Sequence, residues 1–200
     1  VVVNSGIANA CVGDQGLTDA QEITAEAARH LGLQPEEVLI SSTGIIGVEL
    51  PVALIQAGIG RIQLSHDGGH NLARAILTTD SRPKEGSVSF DVRGKTVTIG
   101  GIAKGSGMIH PNMATMLCFL TTDGEIGGSY LQSALKRATD STFNMLSVDG
   151  DSSTNDTVLI CANGSAGAGA IEEGSPEGEL LEQALDQMCA YLAKEIARDG

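Results

Sequence analysis

The sequence predicts an α+β protein, in which helices and strands pack as layers without alternating strictly along the chain. Hairpin-like pairs of apolar segments are mixed with helical segments, and this order disfavours a doubly wound parallel sheet. The clearest helical segment is the last one, where apolar residues recur at intervals of three or four. Aromatic residues make up only 2% of the 200 residues, so the core must be mainly aliphatic.

The predicted elements near the start of the chain are separated by small residues. Residues 1–3 are predicted to form a buried strand and residues 4–16 a loop. Thr18 and Gln21 match a capping box, in which two side chains satisfy unpaired amides at a helix start. Gly32 is the residue type that commonly ends such a helix.

The middle of the chain is predicted to contain two further helices and a hairpin. A short strand covers residues 38–40, Pro51 suits the first turn of a helix, and another helix covers residues 66–77. Residues 88–92 and 96–99 alternate in polarity and flank a glycine-containing segment. This pattern predicts a β-hairpin.

The last part of the chain is predicted to combine strands with two helices. Residues 116–120 are continuously apolar and indicate a buried strand, which is followed by a helix over residues 129–138. Strands are predicted at residues 143–148 and 157–161, and a small-residue loop at 163–169. A final helix is predicted from one apolar stripe, formed by Leu181, Leu185, Met188, Leu192 and Ile196.

Composition restricts the classes of partner. A formal net charge of −13 gives an acidic surface that repels phosphate backbones, so general nucleic-acid binding is not expected. No apolar run approaches the ~20 residues that span a bilayer, and no secretory signal is recognised. The cysteines lack zinc-ligand spacing and are expected to be buried free thiols in a reducing compartment, namely Cys11, Cys118, Cys161 and Cys189. The sequence therefore predicts a cytoplasmic protein without a membrane association.

The two ends of the sequence suggest a piece of a longer protein. The first predicted strand starts at Val1 without an initiator Met, and the last helix runs to Asp199 and Gly200 without a tail. Further chain is therefore expected on both sides.

Thr115 is the first candidate for chemistry. It follows a glycine-rich segment and Ala114, and it stands at the start of the apolar run of residues 116–120. A threonine hydroxyl is a weak nucleophile, but its own α-amine can activate it once the preceding peptide bond is cut. The alternative is a hydroxyl that only caps a turn.

Thr43 and Gly44 form the second candidate, inside the string Ser41-Ser42-Thr43-Gly44-Ile45-Ile46-Gly47. A hydroxyl and a backbone amide at these positions can point at one oxygen, as an oxyanion hole requires. The alternative is a strand-to-loop turn that uses glycine for its dihedral angles.

Lys104 lies in a glycine-rich segment that matches neither nucleotide-binding pattern. The string G-x-x-x-x-G-K-[ST] is absent, and the dinucleotide pattern fails because residue 110 is His. Lys104 is interpreted as a cation for a carboxylate or a transition state, or as a solvated loop lysine.

No metal site is predicted. Residues 149–156 are similar to a calcium loop, but Thr154 stands where a Gly is required and Ile160 where the bidentate Glu is required. His66 and His70 are four residues apart without the Glu of a zinc-protease helix.

Taken together, these strings resemble the glutamate N-acetyltransferase family, also called ornithine acetyltransferase, of arginine biosynthesis. The resemblance rests on motifs that occur in the same order over nearly the whole chain. They are Asn4-Ser5-Gly6-Ile7-Ala8-Asn9-Ala10, Ser42-Thr43-Gly44-Ile45-Ile46-Gly47, Thr78-Thr79-Asp80, Gly101-Ile102-Ala103-Lys104-Gly105-Ser106-Gly107-Met108, Met113-Ala114-Thr115-Met116-Leu117 and residues 149–156.

The resemblance implies a self-cleaving acetyltransferase. The precursor is cut between Ala114 and Thr115, and Thr115 then takes the acetyl group of N2-acetyl-L-ornithine and passes it to L-glutamate in a ping-pong scheme. Thr43 and Gly44 match oxyanion positions, and Thr115 also matches a substrate contact. Lys104 and Thr78 match further substrate-contact positions, with Thr79 as the alternative to Thr78.

The family also implies a fold and an assembly. The fold is a layered α/β sandwich similar to N-terminal-nucleophile hydrolases, with its own topology. Residues 1–114 would be the C-terminal part of the α chain and residues 115–200 the N-terminal part of the β chain, in one intertwined domain truncated at both ends. The two chains are expected to form a heterotetramer. No metal or prosthetic group is expected, although some members use acetyl-CoA as donor.

Two other functions remain open from the sequence. An N-terminal-nucleophile aminopeptidase or amidase would share the nucleophile Thr115 and the self-cleavage. A small-molecule binding module would use Lys104 and the glycine loops to hold a carboxylate without catalysis.

Overall fold

The chain divides into two compact units, Val1–Thr78 and Thr79–Gly200, in a computed structural model. The residues that the structure describes are 1–107, 109–110, 113–114, 116–149 and 153–200, with 109–110 and 113–114 described by their backbone alone. Both units mix helices and strands, as the predicted α+β class requires. The predicted division into residues 1–114 and 115–200 concerns a cut in the chain and stays a prediction.

The first unit contains two parallel strands joined by a helix. Strand β1 (Val2–Ile7) pairs with strand β2 (Ile40–Ile45), and helix α1 (Asp14–Leu31) connects them. Parallel strands need such a crossover because a tight turn cannot join them. A 3₁₀ turn (Pro35–Glu37) lies between α1 and β2, and β2 is followed by helices α2 (Val52–Ile59) and α3 (Gly69–Ala75).

The core of the first unit is aliphatic, as composition predicted. Ile23 and Ala27 from α1 pack with Ile59 from α2, and Ile7 and Ile40 of the two strands pack against this cluster. Gly32 ends α1 in the left-handed conformation with a φ of 71°, so the predicted stop is confirmed.

Three predictions for the first unit differ from the structure. Of the short strand predicted over residues 38–40, only Ile40 lies in a strand, and β2 continues to Ile45. Residues 4–7, predicted as loop, continue β1, because the neighbouring strand supplies hydrogen-bonding partners that a local pattern cannot reveal. The capping box at Thr18 is absent, since α1 already begins at Asp14 and the Thr18 hydroxyl donates to the Asp14 carbonyl at 3.4 Å.

The second unit is built on a four-stranded mixed sheet in the order β3-β4-β7-β9. Its strands are β3 (Lys84–Val92), β4 (Lys95–Lys104), β7 (Leu117–Thr122) and β9 (Thr157–Ala162). The short strands are β5 (Ile109–His110), β6 (Met113–Ala114), β8 (Glu125–Ile126) and β10 (Ala170–Ile171), and the helices are α4 (Gly128–Ser141) and α5 (Pro176–Ala197). The pairs β3–β4 and β4–β7 are antiparallel, whereas β7 and β9 are parallel.

The predicted hairpin is confirmed and is longer than its pattern suggested. Strands β3 and β4 are joined at Arg93 and Gly94, whose φ angles of 54° and 79° are both positive. Positive φ at both central residues is the geometry whose twist matches a two-residue hairpin loop.

Helix α5 packs against the sheet through the predicted stripe. All five predicted residues of the stripe are buried, and Ser175 caps the helix by accepting a hydrogen bond from the Gly178 amide at 3.0 Å. Gly101 of β4 permits this close packing. A Cβ atom there would lie 2.5 Å from Cδ2 of Leu120 and 2.9 Å from Cε of Met188, so the ends of those side chains would have to move.

Two further expectations need correction. Residues 143–148 do not form a strand; Phe143–Met145 form a 3₁₀ turn, because buried Phe143 closes the end of α4 over the core. Cys118 and Cys189 are buried thiols as predicted, but Cys11 and Cys161 are exposed. The described helices include none that combines the length and apolar character of a membrane span.

Candidate functional site

Thr43 and Gly44 lie within strand β2, so the strand-to-loop turn is excluded as their setting. Thr43 is 1% exposed and stands opposite Ser5, while Gly44 stands opposite Gly6. A Cβ atom on Gly44 would lie 2.1 Å from the carbonyl carbon of Gly6, and its φ is 135°. Glycine is therefore required here both by the backbone conformation and by the close approach of β1.

Thr78 and Thr79 fall on either side of the boundary between the units. Thr78 is an exposed residue at the end of the first unit. Thr79 opens the second unit, and its hydroxyl oxygen lies 2.8 Å from the hydroxyl oxygen of Ser106. Ser106 belongs to the loop that follows Lys104, so Thr79 contacts that loop through its hydroxyl.

Lys104 is the last residue of β4 and is buried, with only 2% of its surface exposed. The solvated loop lysine considered from the sequence is therefore wrong. Its register partner is Leu117, the first residue of β7. Its ammonium nitrogen lies 3.8 Å from Oδ2 of Asp80. A buried ammonium needs such a partner because desolvation alone would neutralise it.

Asp80 is the centre of a buried charge cluster. Its Oδ1 atom accepts hydrogen bonds from the Lys84 ammonium at 2.7 Å and from the Gly105 amide at 2.6 Å. Lys84 also contacts Oδ2 of Asp199 at 2.5 Å, and its side chain is 0% exposed. The Asp199 carboxylate in turn accepts hydrogen bonds from the amide and hydroxyl of Ser81.

The cluster shifts the pKa values of Asp80 and Lys104. Burial by itself raises the pKa of Asp80, but the hydrogen bonds from Lys84 and Gly105 and the charges of both lysines outweigh it, so this pKa is lowered from 3.8. Burial lowers the pKa of Lys104 from 10.5, helped by the charge of Lys84 and opposed by Asp80 and Asp156.

Asp156 holds the backbone at the start of β7. Its Oδ1 atom accepts a hydrogen bond from the Met116 amide at 2.8 Å, and the neighbouring Thr157 amide donates to the Met116 carbonyl at 3.1 Å. Burial raises the pKa of Asp156 to about 7, against the opposing effect of hydrogen bonds from Met116 and Ser153 and the charge of Lys104. This carboxyl group therefore changes its charge near neutral pH.

A cavity of about 740 Å³ opens next to this carboxyl group, between α4, the following 3₁₀ turn and the start of β9. Its wall combines apolar side chains with polar ones. Residues that line it include Met116, Leu135, Lys136, Asp140, Phe143 and Asp156.

Three predicted features fall partly or wholly outside the described residues. Thr115 is one of them, and Ala114 is described only as backbone in β6. Within the segment similar to a calcium loop, residues 150–152 are also outside. Across the described ranges, His, Cys, Asp and Glu side chains form no group that could hold a metal ion.

Known proteins are similar to this chain over its whole length. A family model described as ArgJ family matches residues 1–200. The chain belongs to the ArgJ family. The arginine biosynthesis bifunctional protein ArgJ of Symbiobacterium thermophilum is 53% identical over 202 residues, and that of Bacillus subtilis is 52% identical over 200 residues. Both alignments cover the whole chain but 50% and 49% of the relative, so the chain spans about half the length of these ArgJ proteins.

A solved structure of an ArgJ protein is also similar. The crystal structure of arginine biosynthesis bifunctional protein ArgJ from Bacillus halodurans is 48% identical, with a TM-score of 0.53. The match covers 55% of this chain and 59% of that one. The resemblance to the glutamate N-acetyltransferase family that the motifs indicated is thereby confirmed at the level of family.

The sequence did not single out the charge cluster. Asp80 was noted only as the last residue of the motif Thr78-Thr79-Asp80, and no motif included Lys84 or Asp199. Residues that come together only in the folded chain have no characteristic spacing in the sequence. Asp156 was noticed as part of a calcium-like string, whereas its observed partner is a backbone amide. The proximity of Lys104 to β7 required the register of β4 with that strand.

Proposed function

We propose that this chain is the central part of a self-processing acetyltransferase that moves the acetyl group of N2-acetyl-L-ornithine to L-glutamate. Membership of the ArgJ family supports it, because the relatives are named arginine biosynthesis bifunctional proteins. The observation that carries the proposal is local: buried Lys104 pairs in register with Leu117, two residues after Thr115 in the sequence.

The first step of the proposed chemistry is a cut between Ala114 and Thr115. The Thr115 hydroxyl attacks the Ala114 carbonyl, the C–N bond breaks, and the resulting ester is hydrolysed by water. The products are a carboxylate at Ala114 and a free α-amine on Thr115. That amine then serves as the base for the Thr115 hydroxyl.

The acetyl group is then transferred in two halves. Thr115 attacks the acetyl carbonyl of N2-acetylornithine and its proton passes to the amine; ornithine leaves with a proton as the C–N bond breaks. The α-amine of glutamate next attacks the acetyl-threonine ester, which releases N-acetylglutamate and restores the Thr115 hydroxyl. Each half passes through an oxyanion, for which Thr43 and Gly44 are proposed as the stabilising hydroxyl and amide.

Lys104 is proposed to contact the substrate carboxylate. Its burial supports this role, because an ammonium in a desolvated place attracts an anion more strongly than one in water. Thr78 is proposed as a second contact, with Thr79 as the alternative.

The remaining parts of the proposal concern the whole protein. They are a layered α/β sandwich like that of N-terminal-nucleophile hydrolases, α and β chains assembled as a heterotetramer, action in the cytoplasm, and acetyl-CoA as an alternative donor in synthesis of N-acetylglutamate. No cofactor takes part in the proposed chemistry.

Mass spectrometry of the full-length protein tests the proposal. The wild type is expected as two chains divided between Ala114 and Thr115, and Thr115→Ala as one uncut chain that forms no acetyl-enzyme. Thr121→Ala, which replaces an exposed threonine of β7, is the matched control and should be cut normally. An uncut wild type would contradict the mechanism, and N-acetylornithine hydrolysis without N-acetylglutamate would favour the amidase instead.

A further inference from the structure

Met116, the residue before strand β7, is hydrogen-bonded through both its backbone amide and its backbone carbonyl. Parallel pairing with β9 begins at Leu117 and Thr157, and one residue earlier both polar backbone groups of Met116 are occupied. The Met116 carbonyl accepts from the Thr157 amide at 3.1 Å, and the Met116 amide donates to Asp156 at 2.8 Å. A side-chain carboxyl thus takes the place that a backbone carbonyl would fill if the sheet continued.

We propose that Asp156 is a positioning residue, which fixes the peptide that follows Thr115 and makes acetyl transfer depend on the ionisation of its carboxyl group. The inference rests on the proposed function, because the position of this peptide matters to catalysis only if Thr115 is the nucleophile. A carboxylate is a stronger acceptor for an amide than a neutral carboxylic acid, so the anchor is strongest when Asp156 is charged.

The charge of Asp156 also acts on Lys104. The two groups interact electrostatically, and each favours the charged form of the other. When Asp156 takes up a proton, Met116 loses a charged acceptor and Lys104 loses the attraction of a negative charge. Protonation of one group therefore weakens two features of the proposed site together.

The surroundings of Asp156 allow this titration. The carboxyl group lines the cavity of about 740 Å³ beside α4, which gives protons a route to it. Across that cavity Lys136 and Asp140 of α4 pair with each other, and their opposite charges largely cancel. On the sheet side Lys104 is the charged residue that acts on the carboxyl group, among the residues the structure describes.

The sign of the pH dependence follows from these contacts. The pKa of Asp156 is about 7, so the group is mostly neutral at pH 6 and mostly charged at pH 8. The charged form is the one that anchors Met116, so the rate of acetyl transfer should rise with pH along a limb centred near 7. The Thr115 amine would also lose its proton as pH rises, so variants are needed to assign the limb.

Two variants of the full-length protein, Asp156→Asn and Asp156→Ala, separate the role of the side chain as a hydrogen-bond acceptor from the role of its charge. Asp156→Asn keeps an oxygen acceptor for the Met116 amide but cannot ionise, so the limb centred near 7 should be missing from its profile. Asp156→Ala removes both the acceptor and the ionisable group, so its limb should also be missing and its kcat should fall about 10- to 100-fold at pH 8, with little change in KM for N-acetylornithine.

Asp123→Asn is the matched control. Asp123 also accepts a hydrogen bond from a backbone amide, that of Thr98 at 2.7 Å, and so tests the general effect of removing such a carboxylate from this sheet. This variant should keep the wild-type pH limb and kcat. If Asp156→Asn also keeps the limb, or if Asp123→Asn loses it equally, the inference is wrong.

A second measurement does not depend on activity. In protein labelled with ¹⁵N-methionine, the amide signal of Met116 should shift with a midpoint near pH 7 in the wild type and in Asp123→Asn. In Asp156→Asn the shift should be absent. A Met116 signal that ignores pH in the wild type overturns the inference, even if acetyl transfer is observed. A titrating signal in a protein that transfers no acetyl supports the anchor and contradicts the proposed function instead.

Discussion

At the scale of single residues, Lys84 holds the buried charge cluster together. Its ammonium lies between Asp80 and Asp199, and all three side chains are at most 3% exposed. The pKa values of both aspartates are lowered: burial alone would raise them, and hydrogen bonds from Lys84, with others from Gly105 and Ser81, outweigh it. A carboxyl group whose pKa is lower in the folded than in the unfolded protein stabilises the fold at pH values above its unfolded-state pKa. This stabilisation should be lost as the pH falls below about 4.

Replacing Lys84 by Met should therefore destabilise the protein strongly. The substitution keeps the length of the side chain but leaves two carboxylates in a buried place without their main cation. A loss of about 3–5 kcal/mol in the free energy of unfolding is expected, as measured by chemical denaturation at pH 7. Lys136→Met is the matched control because its ion pair with Asp140 is exposed, and it should cost far less than Lys84→Met. Equal small effects in both variants would contradict the assignment.

At the scale of elements, strands β1 and β2 approach each other closely at Gly6 and Gly44. Local patterns identified Thr43 and Gly44 as special but gave them two alternative settings, since a glycine is needed both in turns and where backbones approach each other. The register of β1 with β2 decides the setting, because it brings the Gly6 backbone against Gly44. The oxyanion role of the pair remains a prediction.

Gly44→Ala should disrupt the pairing of β1 with β2. The added methyl group would overlap the Gly6 carbonyl and would also sit at a φ of 135°, so a loss of about 2–5 kcal/mol is expected in thermal or chemical unfolding. Gly47→Ala shares the positive φ, at 74°, but meets no atom within 4 Å, and should cost only about 1–2 kcal/mol. If the two variants lose equal stability, the steric explanation fails.

Residues near Phe143 illustrate why some elements could not be predicted. Their apolar pattern is compatible with a strand, and periodicity alone cannot distinguish a short strand from a buried turn. Phe143 is buried because the core under α4 has room for it, whereas Met145 is 71% exposed. The long stripe of α5 was predictable because its spacing is repeated over several turns and its face is unambiguous.

At the scale of the whole molecule, the proposed cut lies between two strands that are paired with each other in one sheet. Strand β4 precedes Ala114 and β7 follows Thr115, yet the two strands are paired from Ile99 and Thr122 to Lys104 and Leu117. Helix α5 also packs against β4, through the residues that surround Gly101. Cutting one peptide bond therefore leaves the sheet and its helix packing in place.

The two proposed chains should accordingly stay together after processing. The cleaved full-length protein should elute as one species in size-exclusion chromatography under native conditions, at the same volume as uncut Thr115→Ala. In urea concentrations that unfold the sheet, the two chains of the wild type should separate, while the variant remains one chain. Separation of the chains without denaturant would show that the pairing of β4 with β7 does not hold them.

The sequence by itself determined the family, the helix stripe, the hairpin and the residues at which chemistry was expected, because these features depend on residue types at short spacings. Only the tertiary structure decided that Lys104 is buried, that Lys84 joins Asp80 to Asp199, and that Asp156 holds Met116. These contacts join residues far apart in sequence, and their pKa values depend on burial and on neighbouring charges. Neither quantity exists before the strands have paired and the helices have packed.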